Sequence, residues 1–199
     1  MKPILFNTEM VRAILDSRKT VTRRVIKQAQ HAHWWEYNED GSVEFMCGTS
    51  SKNGDSVSFG DWAVTVKPPY KVGDVLYVRE TWSVMPYGYV YRADDEEPDG
   101  WDRDDRWMPS IHMPKEAARL FLRVTGVSVE RLQEISMKDA VSEGCITPKQ
   151  TLYVNHKGYF SDIWNSTIKP AELSLYGWEA NPWVWVIEFE VIKDEEMRL

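Results

Sequence analysis

The chain opens on an apolar run, PILF at 3–6, that fits a first strand. In the following TEMVRAILDSRK, Met10, Val11, Ile14 and Leu15 recur at helical spacing, with Asn7 or Thr8 as N-cap. Composition turns β-like at TRRVI, so a helix hands over to a strand there. Residues 28–60 alternate weak strand signals such as VEFMC with the turns EDGS and SKNGDS, which predicts a polar hairpin excursion. In KPPYKVGDVLYVRETW, Pro68-Pro69 stops one element, Gly73-Asp74 turns the chain, and VLYVRE reads as a buried strand. YGYVYRA is expected as its hairpin partner, and LFLRVTGVSVERL as a further strand pair. ISMKDAVSEGC reads as a short helix, opened by a Ser136/Asp139 capping box and closed at Gly144. YFSDIWNSTI predicts another, with Phe160, Ile163, Trp164 and Ile168 on one stripe. The chain then returns to a strand at PWVWVIEFEVI, where Trp185, Ile187, Phe189 and Val191 alternate toward the core.

Many short strands with a few peripheral helices, and no internal repeat or flexible linker, predict a mainly β (α+β) fold: one domain over 1–199, barrel-like, with insertions. At 43% hydrophobic and 28% charged residues, the composition is that of a soluble globular protein. Ten tryptophans and nine tyrosines supply large buried area, and rings of this kind also stack on nucleobases. No apolar run approaches the ~20 residues that span a bilayer, and the one in MKPILFNTEM is too short for a secretory leader. Two cysteines, Cys47 and Cys145, make no disulfide framework. A cytoplasmic protein without membrane contact is expected.

A net charge of −7 argues against a nucleic-acid binder that uses its whole surface. Residues 18–27 are a local exception, placing Arg18, Lys19, Arg23, Arg24 and Lys27 together with no acid among them. A bound phosphate feels the field within a Debye length of ~8–10 Å, so such a cluster can act locally. Three readings stay open: the cations grip phosphates, they arm a catalytic lysine, or they pair with acids at a solvated strand start. Other candidates are scattered. At the end of the VLYVRE strand, Glu80 either enters a ligand site or pairs with an arginine, and Trp82 either stacks on a base or packs in the core. His112 in SIHMP is a base or hydrogen-bond donor, or a turn residue. His31 and His33 lack further zinc ligands at a recognisable spacing, so no metal is expected. Cys145 follows a helix end and reads as packed rather than nucleophilic. The run 94–106 carries eight acids against two arginines and reads as a solvated loop, or as a surface for a basic partner.

The succession of helix, SRKTVTRR, VGDVLYVRETW, VERLQEISMKDAVSEG and WVWVIEFEVI resembles the ASCH family of PUA-like small barrels, most closely its phage and prophage members. The family motif Gly-x-Lys-x-x-Glu-x-Arg falls on Ser17, Lys19, Thr22 and Arg24, so Ser17 and Thr22 depart from it. Residues 28–66 and 83–115 look like insertions. The Lys-x-x-Thr at Lys19 and Thr22 is similar to the N4-acetylcytidine amidohydrolase branch, which also carries a glutamate in the later helix; here that is Glu143, with Glu134 nearby. The resemblance implies RNA or a modified nucleoside as ligand in a basic pocket containing Lys19, Thr22 and Arg24, where Arg18, Arg23 and Arg24 hold phosphate and an aromatic ring stacks on the base, without a cofactor. It implies as an alternative an amidohydrolase with Lys19 as base, Thr22 as nucleophile and Glu143 as acid or orienting group. The chemistry requires a lysine whose pKa burial or cations depress, and donors for an oxyanion such as Arg24. Residues i and i+3 of a regular strand face opposite ways, so Lys19 and Thr22 converge only if Lys19 precedes the strand. A third expectation, from the acidic run, is a protein-interaction module.

Overall fold

A computed structural model describes residues 1–50, 57–94, 97–145 and 155–192. Among them it is a mixed α/β fold, richer in sheet than in helix. Its strands are β1 (Lys2–Leu5), β2 (Val21–Val25), β3 (Trp34–Tyr37), β4 (Val43–Ser50), β5 (Val57–Val66), β6 (Val75–Arg79), β7 (Trp82–Met85), β8 (Gly88–Tyr91), β9 (Phe121–Arg131) and β10 (Trp183–Val191). The helices are α1 (Thr8–Leu15), α2 (Met137–Ser142), α3 (His156–Thr167) and α4 (Leu173–Tyr176). One sheet carries the order β1-β6-β9-β10-β2, with β1 and β6 parallel and every other pair antiparallel. It is open: among the described residues no ladder joins β2 to β1, and these two strands are its edges.

The burial of β10 shows why the sheet sits at the centre. Alternation predicts one buried face, yet Trp183 to Ile187 are buried without interruption, and Val191 is exposed. Trp183, Trp185, Ile187 and Phe189 join the main core, while Val184 and Val186 join a second cluster with Leu132, Ile135, Phe160 and Trp164. A central strand covered on both faces reads as a continuous apolar run. Each fully buried aliphatic of this kind contributes about 1.5–3 kcal/mol.

Other sequence expectations change for similar reasons. The excursion after residue 28 is not simply polar. β3, β4 and β5 form their own sheet, whose inner face buries Val43 and Phe45 in the main core, with the Phe45 ring 6.1 Å from that of Trp183. The turn expected at 51–56 lies outside the described residues. YGYVYRA does not pair with VLYVRE, because β6 is already flanked by β1 and β9; β8 pairs with β7 instead. LFLRVTGVSVERL is one long strand, β9, with Gly126 inside it and not at a turn. Leu15, placed on the apolar face of α1, is 44% exposed at the last helical turn.

Candidate functional site

The basic stretch begins where α1 ends. Ser17 takes the left-handed conformation, φ 57°, which a glycine adopts without strain. The chain reverses there, and the Arg18 and Lys19 amides both donate to the Ala13 carbonyl, at 2.8 and 3.0 Å. Lys19 therefore precedes β2, and it forms an isolated antiparallel bridge with Glu143 at the end of α2. Gly144 makes this approach possible: its φ is +89°, and a Cβ there would lie 2.8 Å from the Ala13 Cβ.

β2 is an edge strand, so its outer carbonyls lack a neighbouring strand to pair with. Two of the cations supply the missing donors. Lys19 Nζ donates to the Val21 carbonyl at 2.8 Å, and Arg24 Nη1 to the Arg23 carbonyl at 3.2 Å. Arg24 Nη2 reaches across to the Leu5 carbonyl of β1 at 2.9 Å, spanning the gap between the two sheet edges. Both cations also lie over Phe6, Lys19 Nζ at 5.6 Å and the Arg24 guanidinium carbon at 5.4 Å from the ring centre.

Lys19 is wholly buried. Besides Val21, its ammonium donates to the Glu143 carbonyl at 3.1 Å and to Glu143 Oε2 at 2.6 Å, which engages all three of its protons. The other carboxylate oxygen of Glu143 accepts from Arg23 Nη1 at 3.2 Å, and Arg23 Nε donates to Glu130 at 2.6 Å. Both carboxylate oxygens of Glu143 are thus held by cations. Burial pushes the Lys19 pKa below its ordinary value; Glu143 pulls it back up and Arg24 adds to the lowering. Burial likewise lowers Arg24, against the pull of Glu143.

A cavity of about 450 Å³ lies against this cluster, in the gap between β1 and β2 and beneath α3. Thr22, Arg24, Glu143 and Tyr70 give it polar groups, while Ile4, Phe160 and Trp164 belong to its apolar lining. Arg24 Nη1 donates to Thr22 Oγ1 at 3.1 Å. With its bonds to Thr22, Arg23 and Leu5, Arg24 retains its Nε–H and one Nη2–H among the described residues. Tyr70, which sequence reasoning passed over, lines the cavity and donates its phenol to the Pro3 carbonyl at 2.8 Å. Burial raises its pKa and Arg24 opposes the rise. The Pro68-Pro69 pair before it reads only as a stop signal. Its position is settled by packing against β1.

The structure thus brings Lys19, Thr22, Glu143, Arg23 and Arg24 to one place, with Lys19 behind the cavity wall. Among the described residues no hydrogen bond joins Lys19 Nζ to Thr22 Oγ1. Arg18 pairs with Asp16 at 2.7 Å and donates to the Gly144 carbonyl, and Lys27 pairs with Glu172. Glu134, near Glu143 in sequence, accepts from the Arg131 amide at 2.9 Å and caps a turn. Cys145 is buried, with its thiol pushed up to about 11 by burial and by Glu143.

The remaining candidates lie elsewhere. Glu80 is buried in a bidentate pair with Arg119, at 2.9 and 3.0 Å. Trp82 packs with Met113 and Ala117 and meets Tyr89 edge-on, and its indole N–H has no hydrogen-bond partner among the described residues. His112 is exposed on the turn Ser110–His112. None of the three lines the Thr22 cavity. Among the described residues no group of three or more metal-ligating side chains converges, and no helix is long and apolar enough to cross a membrane.

No protein-family model matches the chain, and no curated protein matches it. A crystal structure of an Enterococcus faecalis V583 protein, described as DUF984, is similar over 94% of this chain and 71% of that one, at 11% identity and a TM-score of 0.42.

Proposed function

We propose that the cavity between β1 and β2 binds a modified nucleoside or its base, within an open variant of the PUA-like architecture. One observation carries this reading. A cavity of about 450 Å³, in the size range of small-ligand sites, joins ring and aliphatic walls to a converging Thr22, Arg24 and Glu143. Aromatic walls suit a planar base, and the polar groups suit its hydrogen-bonding edge. The internal pairing of Arg18 and Arg23 favours a bounded ligand over an RNA backbone laid along the cluster. Calorimetric titration with cytidine, N4-acetylcytidine and related nucleosides tests the reading. At least one should bind, and Thr22→Val or Arg24→Met should weaken it by about tenfold or more, the equivalent of one lost hydrogen bond to a charged or buried group. Absence of binding by every nucleoside, or indifference to both substitutions, overturns it.

A second reading, an amidohydrolase of N4-acetylcytidine or a similar acylated base, is favoured by a buried Lys19, its pKa lowered by that burial, three positions before a threonine that lines the cavity. This reading requires Lys19 to give up one of its present partners, turn toward the cavity as the neutral amine, and take the Thr22 hydroxyl proton. Oγ1 attacks the acyl carbon, and the free N–H groups of Arg24 hold the oxyanion. Collapse breaks the C–N bond, the departing amine receives the proton, and water hydrolyses the acyl-threonine. Glu143 orients Lys19 throughout. Released acetate is the readout: it should appear with the wild type and vanish in Thr22→Ala. Without turnover this second reading fails and the binding reading stands.

A further inference from the structure

Another cavity, of about 570 Å³, shares no lining residue with the Thr22 site. It is built on the β7–β8 hairpin. Tyr89 and Tyr91 stand at i and i+2 on β8, the spacing of one strand face; Tyr87 comes from the turn before it, and Asp94, Pro98 and Asp99 from the loop that follows. Tyr87 donates its phenol to the Asp99 carbonyl at 3.0 Å, which ties that loop to the hairpin turn. Large ring surface remains in solvent nonetheless, Tyr87 being 62% and Tyr89 43% exposed.

The inner wall already demonstrates what such a surface holds. The guanidinium of Arg119, which does not line the cavity, lies 4.0 Å from the centre of the Tyr91 ring and pairs with Asp94. A tyrosine face and an aspartate together hold a cation there, through the ring quadrupole and the carboxylate charge. The cavity repeats that combination outward, with Tyr87, Tyr89 and Asp99. An apolar occupant would leave the carboxylates desolvated, and a phosphate would be repelled. Among the described residues of the loop the acid excess continues, with Glu97, Asp102, Asp104 and Asp105 against Arg103 and Arg106, more charge than one small cation balances.

We propose that this cavity docks a basic peptide segment of a protein partner. One arginine or lysine side chain enters between the Tyr87 and Tyr89 rings, and neighbouring cations meet the exposed Asp102 and Asp104 further along the same loop. The proposal is independent of the nucleoside reading. Fluorescence anisotropy with labelled hexa-arginine and hexa-lysine peptides, at low and physiological salt, tests it. The wild type should bind one of them. Tyr87→Leu/Tyr89→Leu should weaken it by about tenfold, Tyr89→Phe should stay within about twofold because the ring face is kept, and Asp99→Asn should fall between. Tyr87→Leu also cuts the tie to Asp99 and Tyr89→Leu the contact with Trp82, so circular dichroism checks the fold of each variant; if the double variant fails to fold, Tyr89→Leu alone reads the same loss. Three results overturn the proposal: no peptide binding, equal affinity in the Tyr→Leu variants, or tetramethylammonium binding as tightly as the peptide. The second result assigns the attraction to loop charge alone, and the third assigns the cavity to a small organic cation.

Discussion

Two buried carboxylate–cation assemblies invite comparison. At one, Glu143 is clasped by Lys19 and Arg23; at the other, Glu80 is clasped by Arg119. Both glutamates are buried, both follow strand-like or capped segments in the sequence, and both qualified there as candidates. Only Glu143 borders a cavity that also receives a threonine, an arginine and aromatic walls. Glu80 itself lines neither of the two cavities, and its partner Arg119 leaves 26% of its side chain in solvent, against none for Lys19. A buried ion pair by itself thus marks tertiary packing as readily as chemistry. What separates the two places is a cavity bordered by the glutamate itself, and a cation that cannot reach water.

The sharpest way to break this comparison is to remove each glutamate. Glu143→Leu strands a wholly buried ammonium and part of the Arg23 pairing, and should lower stability by about 3–5 kcal/mol in chemical denaturation. Glu80→Leu leaves Arg119 with Asp94, the Tyr91 ring and solvent, and should lower it by only about 1–2 kcal/mol. Equal losses would erase the distinction. Next in size is Gly144→Ala, which meets the Ala13 Cβ and strains a left-handed residue. A loss of about 2–3 kcal/mol is expected, with impaired nucleoside binding as Glu143 shifts.

The smallest effect concerns pH. Burial raises the Glu80 pKa above 4.5 despite Arg119. The folded chain therefore holds more protons than the unfolded one between 4.5 and that raised value, and stability falls as pH rises across the window. Glu80→Gln should flatten this acid-side slope. Lys19 acts at the other end of the scale. Its lowered pKa makes the folded chain shed a proton before the unfolded one does, so stability rises with pH between the depressed value and 10.5. Denaturation series of the wild type, Glu80→Gln and Lys19→Met separate the two slopes. A single slope removed by neither variant would show that the two sites do not differ in this way.

Much of the fold's local grammar was legible in the sequence. Asn7 caps α1, Ser136 and Asp139 form their reciprocal box, and Gly144 closes the turn beyond α2 with positive φ. Each of these depends on residues a few positions apart, whose hydrogen bonds the local chain alone decides. Strand pairing was less legible. β6 chose β1 and β9 over the nearby β8, and β10 became apolar on both faces because helices and a second sheet cover it from opposite sides. Such choices weigh contacts far apart in the chain.

The candidate site divides along the same line. By itself the sequence determined that residues 18–27 concentrate cations where a helix gives way to a strand, and that a threonine lies three positions beyond a lysine. Only the tertiary structure assigned each cation its work. Lys19 and Arg24 satisfy the outer carbonyls of an edge strand, Arg23 turns to Glu130 and Glu143, and Arg18 turns to Asp16. The physical reason is that a side chain's charge is local but its partner is not. Whether a cation grips a ligand, holds a carboxylate or replaces a missing strand depends on which acceptors distant segments bring within about 3 Å of it.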